Sequence, residues 1–215
     1  HPVESYWLYW GCRSQGAEIR EALEEQFESI ISWLLYGLID FDFISEMVLE
    51  ELGERGDSEY FRVGRSEYEV ILVPGCMTLR NNTYQHLEQF WQSGGKVIFV
   101  GEPPLFEEGQ RTDRMVKLAE KCGKIPFRRD RVLSILEPYR DVEEWSETAD
   151  GDDPTRIKHR ESVKRTKNMF YQLREEAERK WIFLCHVNKP QNKDITYMEK
   201  LTIFIRGEYR PRLYD

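Results

Sequence analysis

The pattern of hydrophobic and polar positions predicts alternating strands and helices over residues 1–140. The densest aliphatic run covers residues 70–73 and is bounded by charge on one side and by Pro74-Gly75 on the other. Such a run is typical of a strand buried on both faces of a parallel sheet. A second run, residues 96–101, has the same character and stops at Glu102-Pro103-Pro104.

Apolar residues recur at helical spacing from Ile19 to Leu38, which predicts one long amphipathic helix with a solvated, glutamate-rich outer face. Ser45 is the predicted N-cap of a short helix over residues 46–52 that ends at Gly53. Asn82 and Gln85 are predicted to form a capping box at the start of a helix that ends at Gly94-Gly95. Further helices are expected over residues 112–122 and 132–136.

Shorter strands are predicted at residues 3–9, 41–44 and 60–63 and near Ile125. The resulting alternation of strand and helix predicts an α/β fold with a doubly wound, three-layer, mainly parallel sheet. In such sheets the loops that follow the carboxyl ends of the strands bind ligands.

The character of the sequence changes after residue 140. Residues 141–167 are acidic in the first part of the segment and basic in the second, with few apolar positions. They are predicted to form a charged mobile loop. We interpret the basic part as a solvated segment in preference to an anion-binding patch. Residues 168–215 are predicted to form an antiparallel β extension. A hairpin of residues 169–173 and 181–187, with a strand at 201–205, would complete the sheet or begin a β-sandwich.

Composition narrows the classes of partner. The net charge of −8 argues against a nucleic-acid partner, which needs clustered positive charge. No apolar run approaches the roughly 18 residues of a membrane span, and no signal peptide is visible. The four cysteines follow no metal-binding or disulfide spacing, which favours reduced thiols in a cytoplasmic protein over a disulfide pair or metal ligands. No phosphate-binding or zinc motif is present, so neither cofactor nor metal is predicted.

The topology predicts which side chains meet at the binding edge of the sheet. Trp7 and Trp10 can stack on a sugar or pack against another domain, and Glu4 and Asp42 are carboxylates within predicted strands. Cys76 is interpreted as a small packing residue in preference to a nucleophile, and no residue is assigned a catalytic role. The candidates for contact with a ligand or another domain are Glu4, Trp7, Trp10, Asp42, Ser45, Cys76 and Glu102.

Three passages, residues 1–11, 37–46 and 73–99, resemble the class I glutamine amidotransferase-like domain of large multidomain glycoside hydrolases. They are similar to the β-galactosidase trimerisation domain. The resemblance implies a flavodoxin-like, amidotransferase-like fold. Active amidotransferases of this family carry the nucleophilic cysteine on a Gly-x-Cys-x-Gly elbow. The matching residues here are 100–104, where there is no cysteine and where Pro103 lacks an N–H group.

The resemblance implies a non-catalytic accessory domain for interdomain packing, oligomerisation or shaping of an active-site mouth. The catalytic carboxylates would lie in a preceding barrel, and a β-sandwich would follow. Both ends of the chain fall within predicted elements, so we expect a piece of a longer polypeptide. The partners expected are these flanking domains, carbohydrate and further copies of the chain. Two alternatives stay open: a free-standing amidotransferase-like or trehalose-utilisation-like enzyme with a reactive Cys76 or His86, and a carbohydrate-binding module.

Overall fold

A computed structural model describes residues 2–9, 15–56, 58–146, 169–176, 179–187, 201–210 and 212. The chain forms two compact units. The first contains residues 1–33 and 41–135, and the second contains residues 34–40 and 136–215. None of the helices in the described ranges is both long enough and apolar enough to cross a bilayer.

The helices are α1 (Val3–Leu8), α2 (Gln15–Tyr36), α3 (Glu46–Leu52), α4 (Asn81–Gln92), α5 (Arg114–Cys122) and α6 (Arg129–Leu136). The strands of the first unit are β1 (Gly53–Glu54), β2 (Phe61–Val63), β3 (Ser66–Tyr68), β4 (Val70–Val73), β5 (Thr78–Leu79), β6 (Lys96–Val100), β7 (Phe106–Glu107), β8 (Gln110–Arg111) and β9 (Lys124–Ile125). Those of the second are β10 (Val142–Ser146), β11 (Met169–Glu176), β12 (Arg179–His186) and β13 (Leu201–Ile205).

The core of the first unit is built on a parallel sheet of strand order β4-β6-β9. Val73 pairs with Phe99, and Val100 pairs with Ile125. Val97 to Val100 of β6 are 1% exposed or less, which confirms the prediction of a buried strand there. Strand β4 lies at an edge among the described strands, and its first three residues are only half-buried. The expectation that β4 is buried on both faces is therefore wrong.

Two predicted strands are absent from their expected positions. Residues 3–8 form helix α1, in which the Tyr6 N–H donates to the Pro2 carbonyl at 3.1 Å. Residues 41–44 form no strand. Phe43 instead packs against Phe27 in a tilted contact and against Phe41 edge to face, at centroid distances of 5.4 and 5.3 Å. Short apolar runs carry too little periodicity to separate strand from helix or loop. Without these strands, the described residues form a mixed α/β arrangement of small sheets with some parallel pairing.

The long helices follow the predictions more closely. α2, α3, α4, α5 and α6 all lie where the spacing of apolar residues places a helix. The Ser45 hydroxyl accepts the Val48 N–H at 3.4 Å, which confirms the predicted cap of α3. The small strand at residues 61–63 and the short strand at Ile125 are also present.

The second unit is antiparallel where it is described. β11 and β12 form the predicted hairpin, in register from Met169–His186 to Glu176–Arg179. β13 lies at the predicted position and pairs with β10, from Val142–Ile205 onward. Residues 142–146 were expected in the mobile loop, and this is wrong, because Val142 and Glu144 alternate inward and are fully buried. The rest of the predicted loop, residues 147–167, lies outside the described residues.

Candidate functional site

A polar cluster forms around Arg80, which follows β5 in the first unit, and it consists of Glu4, Glu46, Glu50, Arg80 and Thr83. Its Nε donates to Glu4 of α1 at 2.7 Å, and its Nη1 donates to Glu50 of α3 at 2.8 Å. Its backbone N–H donates to Glu46 of α3 at 2.7 Å. The hydrogen bond to Glu4 and the pairing with Glu50 raise the pKa of Arg80. One residue thus ties two helices to the start of α4.

Glu46 caps α4 from another helix. Its Oε2 accepts both the Arg80 N–H and the Thr83 hydroxyl, the second at 2.5 Å. A carboxylate here satisfies N-terminal donors and complements the positive end of the helix dipole. Burial raises the pKa of Glu46, and the hydrogen bonds from Thr83 and Arg80 oppose this. The predicted capping box is wrong, because α4 begins at Asn81 with Arg80 in the N-cap position.

Cys76 lies in the loop between β4 and β5 and is 9% exposed. Burial raises the pKa of this thiol to about 12, and the nearby Glu46 charge adds to the effect. A thiol reacts as the thiolate, so this shift suppresses its nucleophilicity. The burial agrees with the interpretation of Cys76 as a packing residue.

The backbone after Cys76 is occupied by a side chain of the same chain. The buried Ser5 hydroxyl of α1 accepts the N–H groups of Met77 and Thr78, at 2.9 and 3.3 Å. Acyl-transfer enzymes use adjacent backbone N–H groups of this kind to hold a developing oxyanion. Here Ser5 takes both, so the loop has the donors of an oxyanion site but does not offer them to a substrate.

The other predicted residues lie in separate contacts. Asp42 accepts the Tyr68 hydroxyl at 3.1 Å, and Glu102 pairs with Lys124 at 3.1 Å in an exposed position. Trp7 is 64% exposed on α1. Trp10 lies outside the described residues. Of the predicted set, Glu4 thus binds Arg80 directly. Cys76 lies near enough to Glu46 for its charge to act on the thiol, and Ser45 caps α3 one residue before Glu46.

Five residues that make these contacts were not singled out from the sequence: Ser5, Glu46, Glu50, Arg80 and Thr83. Arg80 could have been noticed as a lone cation immediately before a predicted helix, where a positive charge is unfavourable unless it is paired. Ser5 carried no signal, since its partners lie more than seventy residues away.

Within the described ranges, no three His, Cys, Asp or Glu side chains group in a way that could hold a metal ion. Cys76, Cys122 and Cys185 are free thiols, as predicted, and Cys12 lies outside the described residues. The chain matches no protein-family model, no curated protein and no solved structure.

Two substitutions of Glu46 separate its charge from its role as a cap. Glu46→Ala removes the acceptor and should lower the free energy of unfolding by about 0.5–2 kcal/mol. Glu46→Gln keeps an acceptor oxygen and removes the buried charge, so its free energy of unfolding should fall by less than that of Glu46→Ala. Urea unfolding followed by tryptophan fluorescence measures both.

The pH dependence has a definite sign. The pKa of Glu46 is higher in the folded state than its ordinary value of 4.5, so the folded state binds this proton more tightly. The contribution of Glu46 to stability is therefore complete below pH 4.5 and declines as pH rises through the folded pKa. The parent protein should lose stability relative to Glu46→Gln across this range. If the difference in stability between the parent and Glu46→Gln does not change with pH, the pKa of Glu46 is not raised in the folded protein.

Proposed function

We propose that this chain is a non-catalytic accessory domain of a glycoside hydrolase, used for interdomain packing, oligomerisation or shaping of an active-site mouth. The main support for this proposal is the loop after β4, whose backbone N–H groups are already bound by a side chain of the same chain. Ser5 holds the two N–H groups that an oxyanion site would need, and burial holds the Cys76 thiol in its unreactive form. The resemblance to amidotransferase-like domains supplies the context of a glycoside hydrolase.

The loop after β6 supports the same conclusion. In the amidotransferase pattern the nucleophile would stand at residues 100–104, and here the loop reads Val-Gly-Glu-Pro-Pro. Gly101 has the positive φ of +86° that a tight elbow uses. Glu102 points to Lys124 and is exposed. The turn geometry is thus present without the nucleophile.

Exposed apolar side chains support a role in packing. α1 and α3, which Arg80 ties together, both carry large hydrophobic residues at the surface, and exposed apolar patches mark interaction sites. Trp7 is 64% exposed, Met47 is 60% exposed and Leu52 is 53% exposed. A flanking domain or a second copy of the chain would bury them.

The wider context follows from the same proposal. We propose that the parallel strands belong to a doubly wound, three-layer sheet of the amidotransferase-like type, with a barrel before the domain and a β-sandwich after it. The fully buried strand β6 and its parallel neighbours support this arrangement. The free thiols support a cytoplasmic location.

Alkylation with iodoacetamide tests whether the Cys76 thiol is unreactive in the folded protein. With a pKa of about 12, only about one in ten thousand Cys76 side chains is a thiolate at about pH 8. Peptide mapping by mass spectrometry should show labelling of the exposed Cys185 in the native protein, and of Cys76 only after denaturation in urea. Rapid labelling of Cys76 in the native protein would contradict the proposal. So would turnover of glutamine or of an aryl glycoside by this chain.

Sedimentation velocity tests the packing role. We expect the average mass of the isolated chain to rise with concentration, because the exposed apolar side chains associate. Met47→Glu combined with Leu52→Glu should restore the monomer mass. Glu51→Ala on the same helix is the matched control and should leave the association unchanged. Equal association of the double variant and the parent would exclude α3 from the packing surface.

A further inference from the structure

The outer face of α3 combines apolar side chains with a carboxylate. Met47, Val48 and Leu52 are 42–60% exposed, whereas Leu49 is buried in the core. Glu51 is also exposed and lies one helical turn from Met47 and from Val48, so its carboxylate stands among these apolar side chains. We call the surface formed by Met47, Val48, Glu51 and Leu52 the α3 face.

Contacts on the other side of α3 fix the direction in which this surface points. Leu49 packs into the hydrophobic core of the first unit. Glu46 and Glu50, one turn apart, both bind Arg80. These contacts hold the rotation of the helix about its axis, so the apolar residues of the α3 face stay directed away from the core.

The charge around the apolar side chains is acidic. Residues 42–54 contain five acidic residues and no basic one. Glu51 lies within the α3 face, and the exposed Glu54 follows shortly after the end of the helix. A partner that covers the apolar residues therefore also meets a negative potential.

The cations that the fold brings near α3 do not reverse this charge. Arg80 is bound by Glu50 and by two further glutamates. Gly64 donates to the Leu52 carbonyl at 2.9 Å, which brings the neighbouring Arg65 to the end of the helix. Arg65 is a single cation beside several carboxylates. Since interfaces match opposite potentials, the partner of the α3 face should be basic.

An amphipathic helix supplies both kinds of contact that this surface needs. Such a helix presents apolar residues at i, i+3, i+4 and i+7 to a complementary apolar surface. Lysine or arginine beside that apolar stripe can pair with Glu51 and Glu54. Met47 adapts to partner side chains of different shapes. A second copy of the chain that met the same surface would supply apolar side chains but no cation for these glutamates.

We propose that the α3 face binds an amphipathic helix with lysine or arginine beside its apolar residues. The apolar side chains of the partner cover Met47, Val48 and Leu52, and its cations pair with Glu51 and Glu54. The inference rests on the packing role proposed for α3 and names the chemistry of the partner.

Fluorescence anisotropy tests the proposal with a dansyl-labelled synthetic helix built on the repeat Leu-Lys-Lys-Leu-Leu-Lys-Leu. The whole chain should bind this lysine peptide, and the affinity should fall as the salt concentration rises, because salt screens the charge pairing. The same repeat with glutamate in place of lysine keeps the apolar stripe and should bind about tenfold more weakly or less. A scrambled peptide of the same composition as the lysine peptide has no apolar stripe and should also bind weakly.

Variants of the chain locate the binding surface. Met47→Ala combined with Leu52→Ala should weaken binding of the lysine peptide by about tenfold. Glu51→Ala, the control for self-association, should weaken it at low salt and have less effect at high salt. Glu120→Ala removes an exposed carboxylate of α5, outside the α3 face, and should bind as the parent does. Circular dichroism confirms that each variant is folded.

The proposal is overturned if the lysine peptide does not bind, if the glutamate or scrambled peptide binds equally well, or if the double alanine variant binds as the parent does. These outcomes are distinct from those that test the proposed function. Self-association without binding of the lysine peptide would leave the packing role of α3 in place and exclude the basic partner. Rapid labelling of Cys76 would contradict the proposed function and would leave the peptide result unchanged.

Discussion

The first unit depends on the contacts that Arg80 makes with three glutamates. Its guanidinium bridges Glu4 and Glu50, and its backbone N–H binds Glu46. The side chains of Arg80 and Glu4 are only 27% and 23% exposed, so this pair lies between a surface pair and a buried one. Exposed pairs contribute about 0–1 kcal/mol, whereas removing one partner of a buried pair costs roughly 3–5 kcal/mol. Loss of Arg80 would leave three carboxylates close together without their shared cation.

The same contacts affect the loop after β4, both its backbone N–H groups and the pKa of Cys76. Arg80 holds Glu4, and α1 thereby presents Ser5 to the backbone of Met77 and Thr78. Glu46 caps α4 and adds to the rise in the pKa of Cys76. The interactions that stabilise the helices therefore also place the Ser5 hydroxyl where it occupies two backbone N–H groups of this loop.

The sequence was informative where structure is local. Apolar spacing located α2, α4 and α5, and the continuous aliphatic run located β6. It failed for α1, because six residues contain too few turns to show a helical period. It failed for the cap of α4, because the acceptor Glu46 lies 34 residues before Arg80, and the Asn82 side chain accepts from Arg55 instead. Glu4 lies in helix α1 and not in the predicted strand, and it binds Arg80 of the same chain.

Amide hydrogen exchange at Met77 and Thr78 tests whether the Ser5 hydroxyl occupies both backbone N–H groups. If Ser5 occupies both N–H groups, these amides exchange slowly in the parent protein and at least tenfold faster in Ser5→Ala, as for other amides that lose a buried hydrogen bond. The amide of Leu87, within α4, serves as an internal reference and should not change. Rapid exchange of Met77 and Thr78 in the parent would show that the loop is open to solvent and that Ser5 does not hold these N–H groups.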